Sequence, residues 1–248
     1  MKNKILMYEE LSQNAHPALQ TQLYDGWILR YSKGHQEKRI NSINPLYPST
    51  LDLYSKINEC EKRYSAQDLP TIFKITESTT PDIDVVLEKL GYDKVSPTYV
   101  MEMPLQDKEF AFGDCILSEN ADDKWLYAYE TFSKRTGNPE IVSSARIFGN
   151  IKNIAIYGRI VKNGIDVACG SMVIECGYMG LLNILVDEQF RGRKYGMEIC
   201  VSLLSEAKRL GVHTAYLQVE QNNQIALNLY TKLGYKTIYS YWYRIKHI

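Results

Sequence analysis

The sequence predicts an α+β (α/β) chain built as two similar domains in tandem. Three observations carry that expectation. Strand and helix signals alternate through the C-terminal half. The N-terminal half follows the same order of signals. And "KITESTTPDIDVVLEKLGY" (74–92) lies under "LQVEQNNQIALNLYTKLGY" (217–235) without a gap, at an offset of 143 positions. That offset brings Leu90-Gly91-Tyr92 under Leu233-Gly234-Tyr235, and Lys89 under Lys232. A repeat of this length indicates duplication of a whole domain rather than a short-period solenoid.

In the N-terminal half, "GWILRYS" (26–32) reads as a hairpin strand, "LDLYSKINECEKRYSAQ" (51–67) as a helix and "TYVMEM" (98–103) as a closing strand. His16 precedes Pro17 in a helix-breaking turn. The boundary is expected in "PLQDKEFAFG" (104–113), giving domains 1–105 and 114–248 joined by a linker at 106–113. The second domain opens with a strand near "CILSE". "AIYGRIVKNGIDVACGSMVIE" reads as two strands about a turn at Lys162-Asn163-Gly164. After the break "CGYMG", "LLNILV" (181–186) reads as a buried strand. "RGRKYG" (191–196) follows, then a helix on which Ile199, Leu203, Ala207 and Leu210 recur at helical spacing, stopped by Gly211. "HTAYLQV" alternates as a strand with Ala215, Leu217 and Val219 on one face. A second helix runs from about Gln224 to Lys232, capped by Asn223 and ended by Gly234, and "KTIYSYWYRI" closes the chain as a strand.

Composition narrows the function. The 248 residues are 45% hydrophobic and 23% charged, with 29 basic and 29 acidic side chains and no formal net charge. A general binder of nucleic acid or membrane surfaces needs a basic excess, so neither partner is expected. Five cysteines without a CxxC pair argue against a disulfide framework or a zinc site and for a reducing, cytoplasmic setting. No histidine stands at metal-ligand spacing, so no metal is expected. The N-terminus lacks the apolar stretch of a signal peptide, and no apolar run is long enough to span a membrane.

Strand, basic glycine-containing turn, helix is a recipe for holding phosphate. The first amides of a helix have no intrahelical partner and the helix dipole is positive there. Gly192 and Gly196 let the backbone come close to a ligand, and Arg191, Arg193 and Lys194 add charge. Basic turns before helices are also common, so this segment alone leaves the matter open. On the second helix, Asn223, Ala226 and Tyr230 share one face. Ile225, Leu229 and Leu233 form a neighbouring stripe expected to face the core. For an isolated helix, capping by Asn223 and edge packing by Tyr230 would explain both residues.

Together the two segments resemble the GNAT superfamily of acetyl-CoA-dependent N-acetyltransferases over residues 114–248. "NILVDEQFRGRKYG" is similar to that family's strand and pyrophosphate loop, patterned Arg or Gln, two residues, Gly, one residue, Gly or Ala. Arg191 and Gly196 fit its ends, and Lys194 stands where the middle glycine is expected. "LQVEQNNQIALNLYTKLGY" is similar to the second cofactor segment, N-x-x-A-x-x-L-Y-x-K-x-G-[FY], in which Asn223, Ala226, Leu229, Tyr230, Lys232, Gly234 and Tyr235 all fit.

The resemblance implies a mixed, mostly antiparallel twisted sheet flanked by helices in each domain, and acetyl-CoA as cosubstrate. It implies that the backbone of Ile184, Leu185 and Val186 pairs with the pantetheine arm. Amides of Gly192, Arg193, Lys194, Tyr195, Gly196 and Met197, beside Arg191, would hold the pyrophosphate. Asn223 and Ala226 would line the pantetheine side, and Tyr230 would be the general acid toward the leaving thiolate. A primary amine, on a small molecule or a peptide, would attack the thioester directly in a ternary complex, with a strand amide near Val186 polarising the carbonyl. Some relatives carry a glutamate base where this chain has Gln218; Glu220, two residues on, is the candidate base, with Glu175 as another. The alternative reading is a non-enzymatic acyl-CoA sensor or scaffold. Monomer and homodimer both remain open.

At the offset of 143, the N-terminal half lacks this chemistry. Thr80 lies under Asn223, Ile83 under Ala226 and Leu87 under Tyr230. Its loop, "PSTLDL" (48–53), has no glycine and carries Asp52, which would repel a phosphate. The first domain is therefore expected to keep the fold without the cofactor. In "GWILRYSKGHQEKRINSINPLYP" (26–48), Arg30, His35, Arg39, Asn41 and Ser42 read as a solvated hairpin face, with the lining of an acceptor site as the alternative.

Overall fold

The computed structural model describes residues 2–111, 113–134 and 144–247. Phe112, in the expected linker, lies outside them. In chain order the elements are α1 (Lys2–Ala15), β1 (Gln20–Tyr24), β2 (Trp27–Tyr31), β3 (Ile43–Pro45), α2 (Leu53–Ser65), β4 (Thr71–Thr76), α3 (Pro81–Lys89), β5 (Asp93–Pro104), β6 (Ile116–Ser118), α4 (Asp123–Phe132), α5 (Ala145–Gly149), β7 (Ile154–Lys162), β8 (Ile165–Glu175), β9 (Tyr178–Val186), α6 (Tyr195–Arg209), β10 (Thr214–Glu220), α7 (Gln224–Leu233) and β11 (Lys236–Lys246). From β1 to β5 and from β7 to β11 the order is the same: three strands, helix, strand, helix, strand. The pairings match too. β1, β2 and β3 run antiparallel in sequence with β4 parallel to β3, as β7, β8 and β9 do with β10 parallel to β9. Among the described residues no helix is long and apolar enough to cross a membrane.

The chain forms two compact units, Met1–Tyr99 with Tyr239–Ile248, and Val100–Ile238. This division differs from the expected 1–105 and 114–248. It falls within β5, which continues unbroken to Pro104, and the last strand goes to the first unit. There β11 runs antiparallel to β4, from Tyr241 opposite Thr76 to Lys246 opposite Thr71. The reason is in the side chains: Tyr239, Tyr241, Tyr243 and Ile245 alternate along the strand and are buried.

The first unit packs α2 and α3 on its sheet through Trp27, Leu29, Ile57, Tyr64, Phe73 and Leu87. The solvated hairpin expected at 26–48 is not found. Arg30, His35, Asn41 and Ser42 are buried, and only Arg39 is partly exposed. The side chains satisfy the main chain of an irregular segment that would otherwise bury unpaired polar groups. Arg30 donates through Nη1 to the Arg39 carbonyl at 2.7 Å and through Nη2 to those of His16 and Gln13. Asn41 accepts from the Ser32 amide at 2.6 Å and donates to the His35 carbonyl at 2.6 Å. Close by, the carboxylate of the buried Glu9 on α1 accepts from Lys74 Nζ at 2.6 Å and Tyr239 Oη at 2.8 Å.

In the second unit the hairpin turn falls at Asn163–Gly164, with φ of 54° and 78°, as the sequence suggests. α6 buries Ile199, Cys200, Leu203, Leu204 and Ala207. Leu210, expected on that face, is the C-cap and is exposed.

Candidate functional site

The site starts from a defect in β9. β8 and β9 are joined by the two-residue turn Cys176–Gly177 and pair in register from Glu175 opposite Tyr178 to Ser171 opposite Leu182. The register then shifts, and Cys169 faces Leu185, so Asn183 and Ile184 together oppose Gly170. This is a β-bulge, and Asn183 takes φ 56° in it. Gly170 has no room for a β-carbon, which would stand 2.7 Å from Ile184 Cδ1 and 3.1 Å from Ile199 Cγ1. Its carbonyl accepts from Trp125 Nε1 at 2.9 Å, so α4 pins the strand opposite the bulge. Trp125 in turn lies in an aromatic cluster with Tyr129, Phe148 and Tyr157, against which Leu185 packs.

On its other side β9 pairs with β10 only through Tyr178, Met179 and Gly180, opposite Thr214, Ala215 and Tyr216. The ladder ends just before the bulge. Beyond it the β10-facing edge of β9, including Ile184, Leu185 and Val186, makes no ladder with β10 among the described residues. Residues 182–186 are half-buried, not the fully buried strand expected from "LLNILV".

The loop after β9 leads into α6 through an unusual cap. Lys194 is left-handed, φ 66° and ψ 7°, with no side-chain cap. This is backbone space that favours glycine, and a side chain there costs about 1 kcal/mol. Its carbonyl accepts from the amides of Met197 at 2.9 Å and Glu198 at 3.1 Å. Met197, expected among the phosphate-facing amides, is thus already engaged. The amides of Tyr195 and Gly196 have no protein acceptor among the described residues. A β-carbon on Gly196 would stand 3.6 Å from both Val186 Cγ2 and Leu229 Cδ2. The first turn of α6 therefore lies against the end of β9 and against α7. Of the basic side chains, Arg191 approaches Glu188 at 3.6 Å and Arg193 lies 5.2 Å from the Phe190 ring. Arg191, Gly192, Arg193 and Lys194 are all exposed.

On α7, Asn223 caps the helix by accepting from the Ala226 amide at 3.1 Å, which leaves its amino group to donate elsewhere. Tyr230 is buried, 8% exposed, with its ring edge-on to Tyr235 at 5.9 Å. Burial, and then the neighbouring Cys200 thiol, hold its phenol far above the usual tyrosine range, so it keeps its proton. The stripe expected to face the core divides: Leu233 is buried, Leu229 half-buried and Ile225 84% exposed. Glu220 is exposed at the end of β10 and shares a face with the half-buried Gln218, while Leu217 and Val219 point into the core. Glu175 lies opposite Tyr178, about 16 Å along β9 from the bulge. The structure thus brings together the end of β9, the start of α6 and α7. The bulged residues Asn183 and Ile184 include no glycine or proline, whereas the left-handed turn falls at Lys194, where the motif expects a glycine.

Comparison with known proteins gives this arrangement a family. The profile of the family described as "Probable histone acetyltransferase Rv0428c C-terminal" matches residues 3–244. A Bacillus subtilis protein, "Uncharacterized N-acetyltransferase YobR", is 26% identical over 250 residues, covering 96% of this chain and 97% of its own. Among solved structures, a GCN5-related N-acetyltransferase from Kribbella flavida superposes with a TM-score of 0.65 at 15% identity, covering 98% of this chain and 94% of that one. A tandem GNAT protein from the clavulanic acid biosynthesis pathway gives 0.63 at 10% identity, covering 83% and 74%. The chain belongs to the Rv0428c-like acetyltransferase C-terminal family, and with it to the GNAT superfamily of N-acetyltransferases: it is an acyltransferase.

Proposed function

We propose that the unit Val100–Ile238 transfers an acetyl group from acetyl-CoA to a primary amine by direct attack in a ternary complex, and that the first unit is a GNAT-like domain without a cofactor. The observation that carries this reading is the end of the β9–β10 ladder at Gly180, one bulge away from the uncapped first turn of α6.

The residues fit the cosubstrate. The free edge of β9 from Ile184 to Val186 offers main-chain donors and acceptors to an extended amide-bearing arm, as another strand would. The Tyr195 and Gly196 amides, at the positive end of α6 and flanked by Arg191, Arg193 and Lys194, suit a pyrophosphate. Asn223 keeps an amino group for a carbonyl, and the small Ala226 allows close approach. Acetyl-CoA supplies, when bound, an acyl group activated as a thioester. A main-chain amide near Val186 withdraws charge from the acyl oxygen. Tyr230 holds a proton at Oη for the departing sulfur, and its burial keeps that proton in place over the working pH range. Glu220, exposed and facing the same side as Gln218, takes the amine's proton through solvent. The acceptor is a small-molecule or peptide amine.

CoA release measured across a panel of amines tests the reading. Tyr230→Phe should lower kcat about 100-fold and leave acetyl-CoA affinity unchanged. A wild-type chain that is folded yet binds no acetyl-CoA would end the proposal.

A further inference from the structure

The first unit holds an anion of its own at the place that corresponds to the phosphate-facing loop of the second. Residues 46–52 join β3 to α2 as 187–194 join β9 to α6. Here the donors converge on one carboxylate, that of Asp25 at the tip of the β1–β2 hairpin. Oδ2 accepts from Ser49 Oγ at 2.6 Å and from the Leu51 amide at 2.9 Å. Oδ1 accepts from Thr50 Oγ1 at 2.8 Å, and the Thr50 amide reaches both oxygens at 3.0 Å. Lys56, one turn into α2, is 0% exposed. Its Nζ lies 3.0 Å from Asp25 Oδ2 and 2.6 Å from Ser49 Oγ, also donates to the Asp25 carbonyl, and sits 3.9 Å from the Trp27 ring centroid.

Two main-chain amides, two hydroxyls and a buried ammonium are the donor chemistry of an oxyanion site. The hairpin tip is wedged into place. The Tyr47 amide donates to the Gly26 carbonyl at 3.0 Å, and a β-carbon on Gly26 would fall 2.1 Å from the Pro48 carbonyl oxygen. Asp25 itself is held at φ 44°, left-handed. Asp52, the residue whose charge suggested repulsion, is committed elsewhere: it caps α2 by accepting from the Ser55 amide at 2.9 Å.

We propose that Asp25 is a built-in occupant of an anion cradle in the first unit, and the residue that limits this chain to one CoA-binding loop. The donors belong to this loop and to Lys56, and a carboxylate of the same chain occupies the position they would offer a phosphate. The comparison between loops rests on reading 191–196 as the pyrophosphate loop; the Asp25 geometry does not.

Asp25→Gly removes the carboxylate and suits the left-handed turn. Equilibrium dialysis with inorganic pyrophosphate, with and without saturating acetyl-CoA, separates the two loops. The wild type should bind one pyrophosphate, displaced by acetyl-CoA. Asp25→Gly should bind a second that acetyl-CoA does not displace, with a Tm rise of about 5 °C at saturation. Adding Lys56→Met should abolish that second site. Absence of the displaceable pyrophosphate in the wild type would count against the proposed cofactor loop. Absence of the second in an Asp25→Gly protein that melts cooperatively would overturn the role of Asp25. Should Asp25→Gly be unfolded in chloride, recovery of helical ellipticity on adding pyrophosphate supports the proposal, and no recovery overturns it.

Discussion

Lys194 sits in backbone space that a side chain enters only under strain. Lys194→Gly should raise stability by about 1 kcal/mol, seen as a higher urea midpoint at an unchanged slope. His16 makes a second prediction at this scale. It is buried, and desolvation, then the Arg39 charge, lower its pKa from 6.5 to about 4, against the raising effect of its 2.9 Å bond to Glu37. The unfolded chain therefore binds a proton between these values that the native chain does not. Stability is full above pH 6.5 and falls as the pH drops toward 4, by about 3 kcal/mol for this group. Urea melts of wild type and His16→Gln across that window should show the variant losing less. Residue identity at fixed spacing is legible in the sequence, and it singles out Asn223, Ala226 and Tyr230 as candidates on α7. Burial is not. Nothing in the helical pattern marks Ile225 as exposed, and the polar residues at 30–42 look solvated in sequence because their partners are main-chain groups, which a pattern of side chains does not display.

The bulge at Asn183–Ile184 interrupts β9 where the candidate site begins, and its support is distributed. Gly170 gives it room, Trp125 ties down the opposing carbonyl and α6 packs beneath. Gly170→Ala should push against Ile184 and cost about 1–3 kcal/mol. It should also lower kcat/KM for acetyl-CoA about tenfold. Thermal melts with steady-state kinetics check both, and a folded variant with wild-type kcat/KM would remove the bulge from the mechanism. Helices, hairpins and their order could be read from periodicity and turn residues because those signals are local. The bulge could not, because it arises from what Gly170 and Trp125 do across the sheet.

For the molecule as a whole, the repeat predicts the order of elements but not which unit each strand completes. Offset and spacing describe neighbours in sequence, and β11 finds its place by burying Tyr239, Tyr241, Tyr243 and Ile245 with the first unit. Deleting residues 239–248 should leave β4 unpaired along that edge and expose the Glu9–Lys74 pair, whose partner Tyr239 would be lost. Limited proteolysis should then cut within 1–99 while 100–238 resists; equal protection of both would contradict the division. The same strand also sets an order for biosynthesis. The segment 1–99 leaves the ribosome first, yet it must wait, one strand short, until all of 100–238 has been made. The half translated second is continuous in sequence, whereas the earlier half takes its last strand from residues 239–248.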